Sequence, residues 1–135
     1  MLIYMNIIAI PLQDFDSHSI IYKEKNPNKL IANSTFSKLM YSNELCYITG
    51  IPLFCNINQT DYTYEKYKKE LKTIEEQILK LYIPSSTKTV CYKIHNHLSK
   101  NYNKNSYSNN ILIKLIGIWE SQYEYGITYR LTNHP

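Results

Sequence analysis

Residues 111–131, ILIKLIGIWESQYEYGITYRL, are the stretch from which the fold is read. Tyr123, Tyr125, Ile127, Tyr129 and Leu131 alternate with Glu124, Gly126, Thr128 and Arg130. A period of two marks a strand with one apolar face. The preceding run, Ile111–Trp119, is apolar on both faces except at Lys114, as a central strand covered on two sides is. A short polar turn separates the two. The chain is therefore expected to end in a β-hairpin, with its only tryptophan, Trp119, in the core beside Ile113 and Leu115.

Working back from the hairpin, one helix is clear. Tyr64, Tyr67, Leu71, Ile74, Ile78 and Leu81 follow a 3–4 spacing between Asp61 and Tyr82. Thr60 or Asp61 supplies the N-cap, and Pro84 stops the helix by restricting Ile83. Lysines and glutamates alternate over its other faces. The apolar stripe is expected to pack on the sheet. Its heptad spacing also fits a homo-oligomer formed through Tyr64, Leu71 and Ile78.

Further strands are expected at Leu2–Ile10, Ser19–Lys23, Thr35–Tyr41 and Leu45–Asn56, the last broken near Gly50 and Pro52. Lys25–Lys29 reads as a turn, and Thr35–Tyr41 with Leu45–Ile51 reads as a hairpin. Thr87–Leu98 reads as a strand, followed by a polar loop over Ser99–Asn110. At 135 residues the chain is long enough for one core. The expected fold is one α+β domain over 1–135. It has a twisted antiparallel or small barrel-like, OB-like sheet, one central helix at about 61–82, and the C-terminal hairpin.

Composition narrows the function classes. Ile, Asn, Tyr and Lys fill nearly half the chain and Arg occurs once, at Arg130. All four have A/T-rich codons, so the bias points first to an AT-rich genome. The net charge is +4. Ile83–Asn110 carries Lys88, Lys93, Lys100 and Lys104 and no acidic residue, a local excess that suits a polyanion. Cys46, Cys55 and Cys91 have no metal-binding spacing, and their odd number favours reduced thiols in an intracellular setting. The N-terminal MLIYMNIIAIPL lacks the basic region of a secretory signal and is too short to span a bilayer. It reads as a first strand, and neither secretion nor a membrane partner is expected.

No nucleophile elbow, phosphate loop or dinucleotide fingerprint occurs, so the chain reads as non-enzymatic and without a cofactor. On a strand over Val90–Leu98, Cys91, Lys93, His95 and His97 would share the outward face. His95 and His97, with Cys91, are the candidate metal ligands, with Lys93 opposing a cation. Single-stranded nucleic-acid binding needs only a cationic groove and aromatic rings on which bases stack. Lys88, Lys93, Lys100 and Lys104, interleaved with Tyr102 and Tyr107, supply both. Tyr92 falls on the inward face.

Three patterns resemble small, poorly characterised proteins of large eukaryotic DNA viruses. These are Phe36-Ser37-Lys38-Leu39-Met40-Tyr41-Ser42 with Ile48-Thr49-Gly50-Ile51, the expected strand Cys91–Leu98 after a helix, and Ile113–Glu120 with Tyr125–Arg130. The last takes the form hydrophobic–Lys–x–x–Gly–Ile–Trp–Glu…Tyr–Gly–x–Thr–Tyr–basic. The resemblance implies a viral source and residence in the host cytoplasm, a viral factory or the virion. It implies no activity. The expectation is a single-stranded nucleic-acid-binding, in particular DNA-binding, accessory protein of viral replication or packaging. The alternative is a structural or interaction protein, such as a virion component or host-factor ligand.

Overall fold

The computed structural model describes residues 2–4, 7–28, 31–56, 61–100 and 110–134. Its strands are β1 Leu2–Tyr4, β2 Ile7–Pro11, β3 Ile20–Pro27, β4 Thr35–Ser42, β5 Tyr47–Thr49, β6 Ile51–Asn56, β7 Thr89–Cys91, β8 Asn110–Glu120 and β9 Glu124–His134. Two helices, α1 Asp61–Leu81 and α2 Lys93–Lys100, and two 3₁₀ turns, Leu12–Asp14 and Ser17–Ser19, complete the described residues. The fold is α+β, with one open sheet that does not close into a barrel. No helix among the described residues is long and apolar enough to cross a membrane.

The C-terminal hairpin is the axis of the sheet. β8 pairs antiparallel with β9 from Asn110↔His134 to Glu120↔Tyr125. Its other edge is shared. β6 pairs with its first half, Ile51↔Leu115 to Asn56↔Asn110, and β4 with its second, Thr35↔Glu120 to Lys38↔Gly117. β3 lines the far edge of β4. The expected hairpin of β4 with β5 is present (Met40↔Thr49, Tyr41↔Ile48). It breaks at Gly50, whose φ of +78° lets the chain leave β4 and join β8 as β6. Two short pairings are parallel, β2 with β6 and β7 with β9.

The α1 stripe is buried from Tyr67 to Ile78 but not at its end, where Leu81 is exposed and Leu79 and Tyr82 are buried instead. Tyr67, Leu71, Ile74 and Ile78 are buried against Leu39, Ile51, Leu53, Ile113, Leu115 and Ile127 of the sheet. Leu71 and Ile78 are thus core residues, so the homo-oligomer expected through Tyr64, Leu71 and Ile78 loses two of its three contacts. The Tyr64 side chain and the Thr60 cap lie outside what is described.

Four expectations are corrected. The N-terminal run is two antiparallel strands rather than one (Leu2↔Ala9, Tyr4↔Ile7). β3 continues through Lys25 to Pro27, where an edge position tolerates the proline. Thr87–Leu98 is not one strand, since β7 ends at Cys91 and α2 begins at Lys93. Ile94 and Leu98 are four apart, which serves a helix as well as a strand, and a buried carboxylate from α1 supplies the deciding cap. Trp119 is the fourth. A bulge in β8 between Leu115 and Gly117 shifts the register against β9 by one residue. The inward set therefore changes from Ile111, Ile113 and Leu115 to Ile118 and Glu120, and Trp119 faces the side away from α1.

These placements separate two substitutions. Leu71→Ala should lower the unfolding free energy by about 2–5 kcal/mol, and Trp119→Ala, half-buried on the other face, by clearly less. Denaturant melts of the two variants measure the difference directly.

Candidate nucleic-acid interface

Register alone defines the face of the sheet opposite α1. Four rows cross it. Phe36, Trp119, Gly126 and Cys91 form the first, and Lys38, Gly117 and Thr128 the second. Pro52, Lys114 and Arg130 form the third, and Phe54, Leu112 and Thr132 the fourth. Lys38, Lys114 and Arg130 are exposed, Phe36, Phe54 and Trp119 are half-buried, and Pro52 and Leu112 are buried. Lys93, at the start of α2, places its ammonium 4.6 Å from the centre of the Trp119 ring. Glu24, in the β3 bulge opposite Lys38, and Glu124, at the start of β9, stand at the lateral margins. The rows span three two-residue steps, about 20 Å along the strands. Such a face offers cations to phosphates and aromatic rings to bases.

The first row is tight. A Cβ on Gly126 would stand 2.6 Å from the Cys91 carbonyl oxygen and 3.0 Å from Trp119 Cζ2, so only glycine lets β7 and the indole close over β9. A Cβ on Gly117 would meet the Phe36 ring at 2.3 Å.

The residues expected to bind nucleic acid from sequence are dispersed. Lys93 is on the outward face. Lys88 is not. Its side chain is 9% exposed and its ammonium donates to Glu120 Oε1 at 3.0 Å. Lys100 ends α2, its side chain outside what is described, and Tyr102, Lys104 and Tyr107 lie outside the described residues. Tyr92 is exposed rather than inward, its ring tilted 44° against the His95 ring at 4.9 Å.

The histidine pair is separated by the helix. Residues two apart on a helix point about 200° apart, so His95 and His97 cannot share a metal as strand neighbours would. His95 turns to α1. Its Nδ1 contacts Glu75 Oε1, and its Nε2 lies 3.1 Å from Glu76 Oε1. Glu75, fully buried, also accepts the amides of Ile94 and His95 at 2.9 Å each. The carboxylate thereby caps the first turn of α2 and fastens it to α1. His97 makes an edge contact with Tyr129, 6.1 Å between centroids. Cys91 is on the outward face, and no group of three metal-ligating side chains occurs among the described residues.

A second buried carboxylate closes the other end of the sheet. Glu120 accepts from Tyr82 Oη, from Lys25 and Lys88 at 3.0 Å each, and from the Ser85 amide at 2.8 Å. Burial works to raise its pKa, but these hydrogen bonds outweigh it and hold it at about 2, below the ordinary 4.5. Tyr82 moves the opposite way, raised by burial and by the carboxylate that accepts its proton. The cluster ties the segment after α1 to the end of β8. Burial, with Glu70 adding, pushes the Cys55 thiol up to about 11, which makes it a poor nucleophile. An open groove of about 800 Å³ lies between Leu12, Phe15 and the α1 side chains Lys66, Lys69 and Ile74, and neither Glu75 nor Glu120 lines it.

Lys38, Lys114, Arg130, Phe36, Phe54 and Trp119 were not legible as a set. The alternation in β9 marks Arg130 as outward, but the others are placed by cross-strand register and by the bulge. The chain matches no known protein family, no curated protein and no solved structure.

The pH dependence of folding should report the Glu120 cluster. Its pKa is lower folded than unfolded, so its stabilisation is complete above about 4.5 and is lost as pH falls from there toward about 2. Glu120→Gln should remove this part of the acid limb in melts across that range. At neutral pH it should cost about 3 kcal/mol, the lower end for a broken buried pair, because Lys25 is partly exposed and regains water.

Proposed function

We propose that this protein is a non-enzymatic single-stranded nucleic-acid-binding protein that works through the outward face of its sheet. One observation carries the reading. The strand register collects Lys38, Lys114 and Arg130, with Lys93 from α2, around Trp119, Phe36 and Phe54 on the side away from α1. Cations in that arrangement release the counterions condensed on a phosphate chain. Aromatic rings accept any base, but only one whose π-face is free, which a duplex denies. The setting we propose, on the resemblance of the C-terminal hairpin, is accessory work in viral replication or packaging.

A second reading, a structural or interaction protein, is favoured by the tip of the β4–β5 hairpin. Leu45 is 76% and Tyr47 64% exposed there, and a flat aromatic beside an aliphatic residue is an interface anchor.

Binding of labelled oligonucleotides as salt is raised tests the first reading. Single strands should bind more tightly than duplex of the same length, with affinity falling as salt rises. Lys38→Gln, Lys114→Gln and Arg130→Gln should each reduce the salt slope by about 0.7, while Lys88→Gln, whose ammonium is committed to Glu120, should leave it unchanged. Equal affinity for heparin, duplex and single strand would move the assignment to the interaction protein.

A further inference from the structure

We propose that Trp119 is the base-stacking residue of the outward face and that Lys93 is its exchangeable cover, moving from the indole to a phosphate when a base arrives. This rests on the nucleic-acid reading and names the subsite within it.

The half-buried indole has two close neighbours. One side abuts β9 so closely that a Cβ on Gly126 would lie 3.0 Å from Cζ2 and 3.2 Å from Cε2. The Lys93 ammonium lies over the ring at 4.6 Å. The indole Nε1–H is buried and has no hydrogen-bond partner among the described residues. A buried donor with no acceptor is an unfavourable resting arrangement, and it is relieved when an oxygen of water or ligand reaches the ring edge.

Only the arm of Lys93 needs to move. Its backbone begins α2, which is held by the Glu75 cap on the Ile94 and His95 amides and by the buried Ile94 side chain. A lysine is a point charge on a flexible stem. Its cation–π contact at an exposed site is weaker than the stacking of a base on an aromatic ring. A nucleotide can therefore replace the ammonium over Trp119 and offer it a phosphate. A bare polyanion such as heparin supplies the phosphate-like charge without the base and so drives only half of the exchange.

Two measurements on the full chain test this, using Lys93→Gln and Lys93→Arg and a labelled oligothymidylate. Trp119 is the only tryptophan, so acrylamide quenching of its fluorescence reads the cover without any nucleic acid. Quenching should be stronger in Lys93→Gln than in the wild type, and Lys93→Arg should restore the wild-type value. In the salt titration, Lys93→Gln should lower the slope by about 0.7. Its line should cross that of the wild type, weaker at low salt and at least as tight at high salt, where the uncovered ring matters more than the lost charge. Equal quenching in Lys93→Gln and wild type overturns the cover. Binding with parallel salt lines overturns the exchange alone. No binding of the oligonucleotide by the wild-type chain overturns the nucleic-acid reading and the exchange with it.

Discussion

The bulge in β8 between Leu115 and Gly117 is the feature on which the rest of the structure depends. An extra residue in a strand reverses which side chains face inward from that point onward. Ahead of it Ile111, Ile113 and Leu115 fill the core; beyond it Ile118 and Glu120 do. The partner strand changes at the same place, from β6 to β4, and Gly50 allows that change by turning the chain from β4 toward β8. One irregularity thus sets the phase of the longest hairpin, divides the sheet into two halves, and turns Trp119 outward and Glu120 inward rather than the reverse.

Two buried carboxylates complete what the apolar core leaves open. α2 is only eight residues long, too short to persist by its own hydrogen bonds. Glu75 meets its first amides and Ile94 anchors it in the core, so its helicity depends on α1 being in place. Glu120 does the same for the segment after α1, gathering Tyr82, Ser85, Lys25 and Lys88. Both side chains are tolerated in the interior because each is surrounded by hydrogen-bond partners. Both also withdraw polar residues from the surface, which is why Lys88 and His95 serve packing while Lys93, between them in sequence, reaches the outward face.

The proposed interface follows from this arrangement. A sheet covered by α1 on one side has a second face to fill, and here that face combines exposed cations with half-buried rings. Gly117 and Gly126 let Phe36 and Trp119 lie close against the backbone, which fixes the rings more firmly than a loop would. The same closeness puts Trp119 within reach of Lys93, joining the end of the sheet to the first turn of α2.

The sequence by itself determined the α+β class, α1 and its buried stripe as far as Ile78, the β4–β5 hairpin with its break at Gly50, and the terminal hairpin. Each is written in a local period or in a residue whose backbone preference acts within a few positions. It also placed Lys93 on an outward face, though for a strand that is not there. Only the tertiary structure decided the conformation of residues 93–100, because Ile94 and Leu98 fit either period and the Glu75 carboxylate that caps the helix lies 19 residues from Ile94. Only it decided the side on which Trp119 lies, because a bulge leaves the hydrophobic pattern of a strand buried on both faces unchanged. The outward set of Lys38, Lys114, Arg130, Phe36 and Trp119 comes from β4, β8 and β9, and no local signal can assemble residues whose proximity is created by strand register.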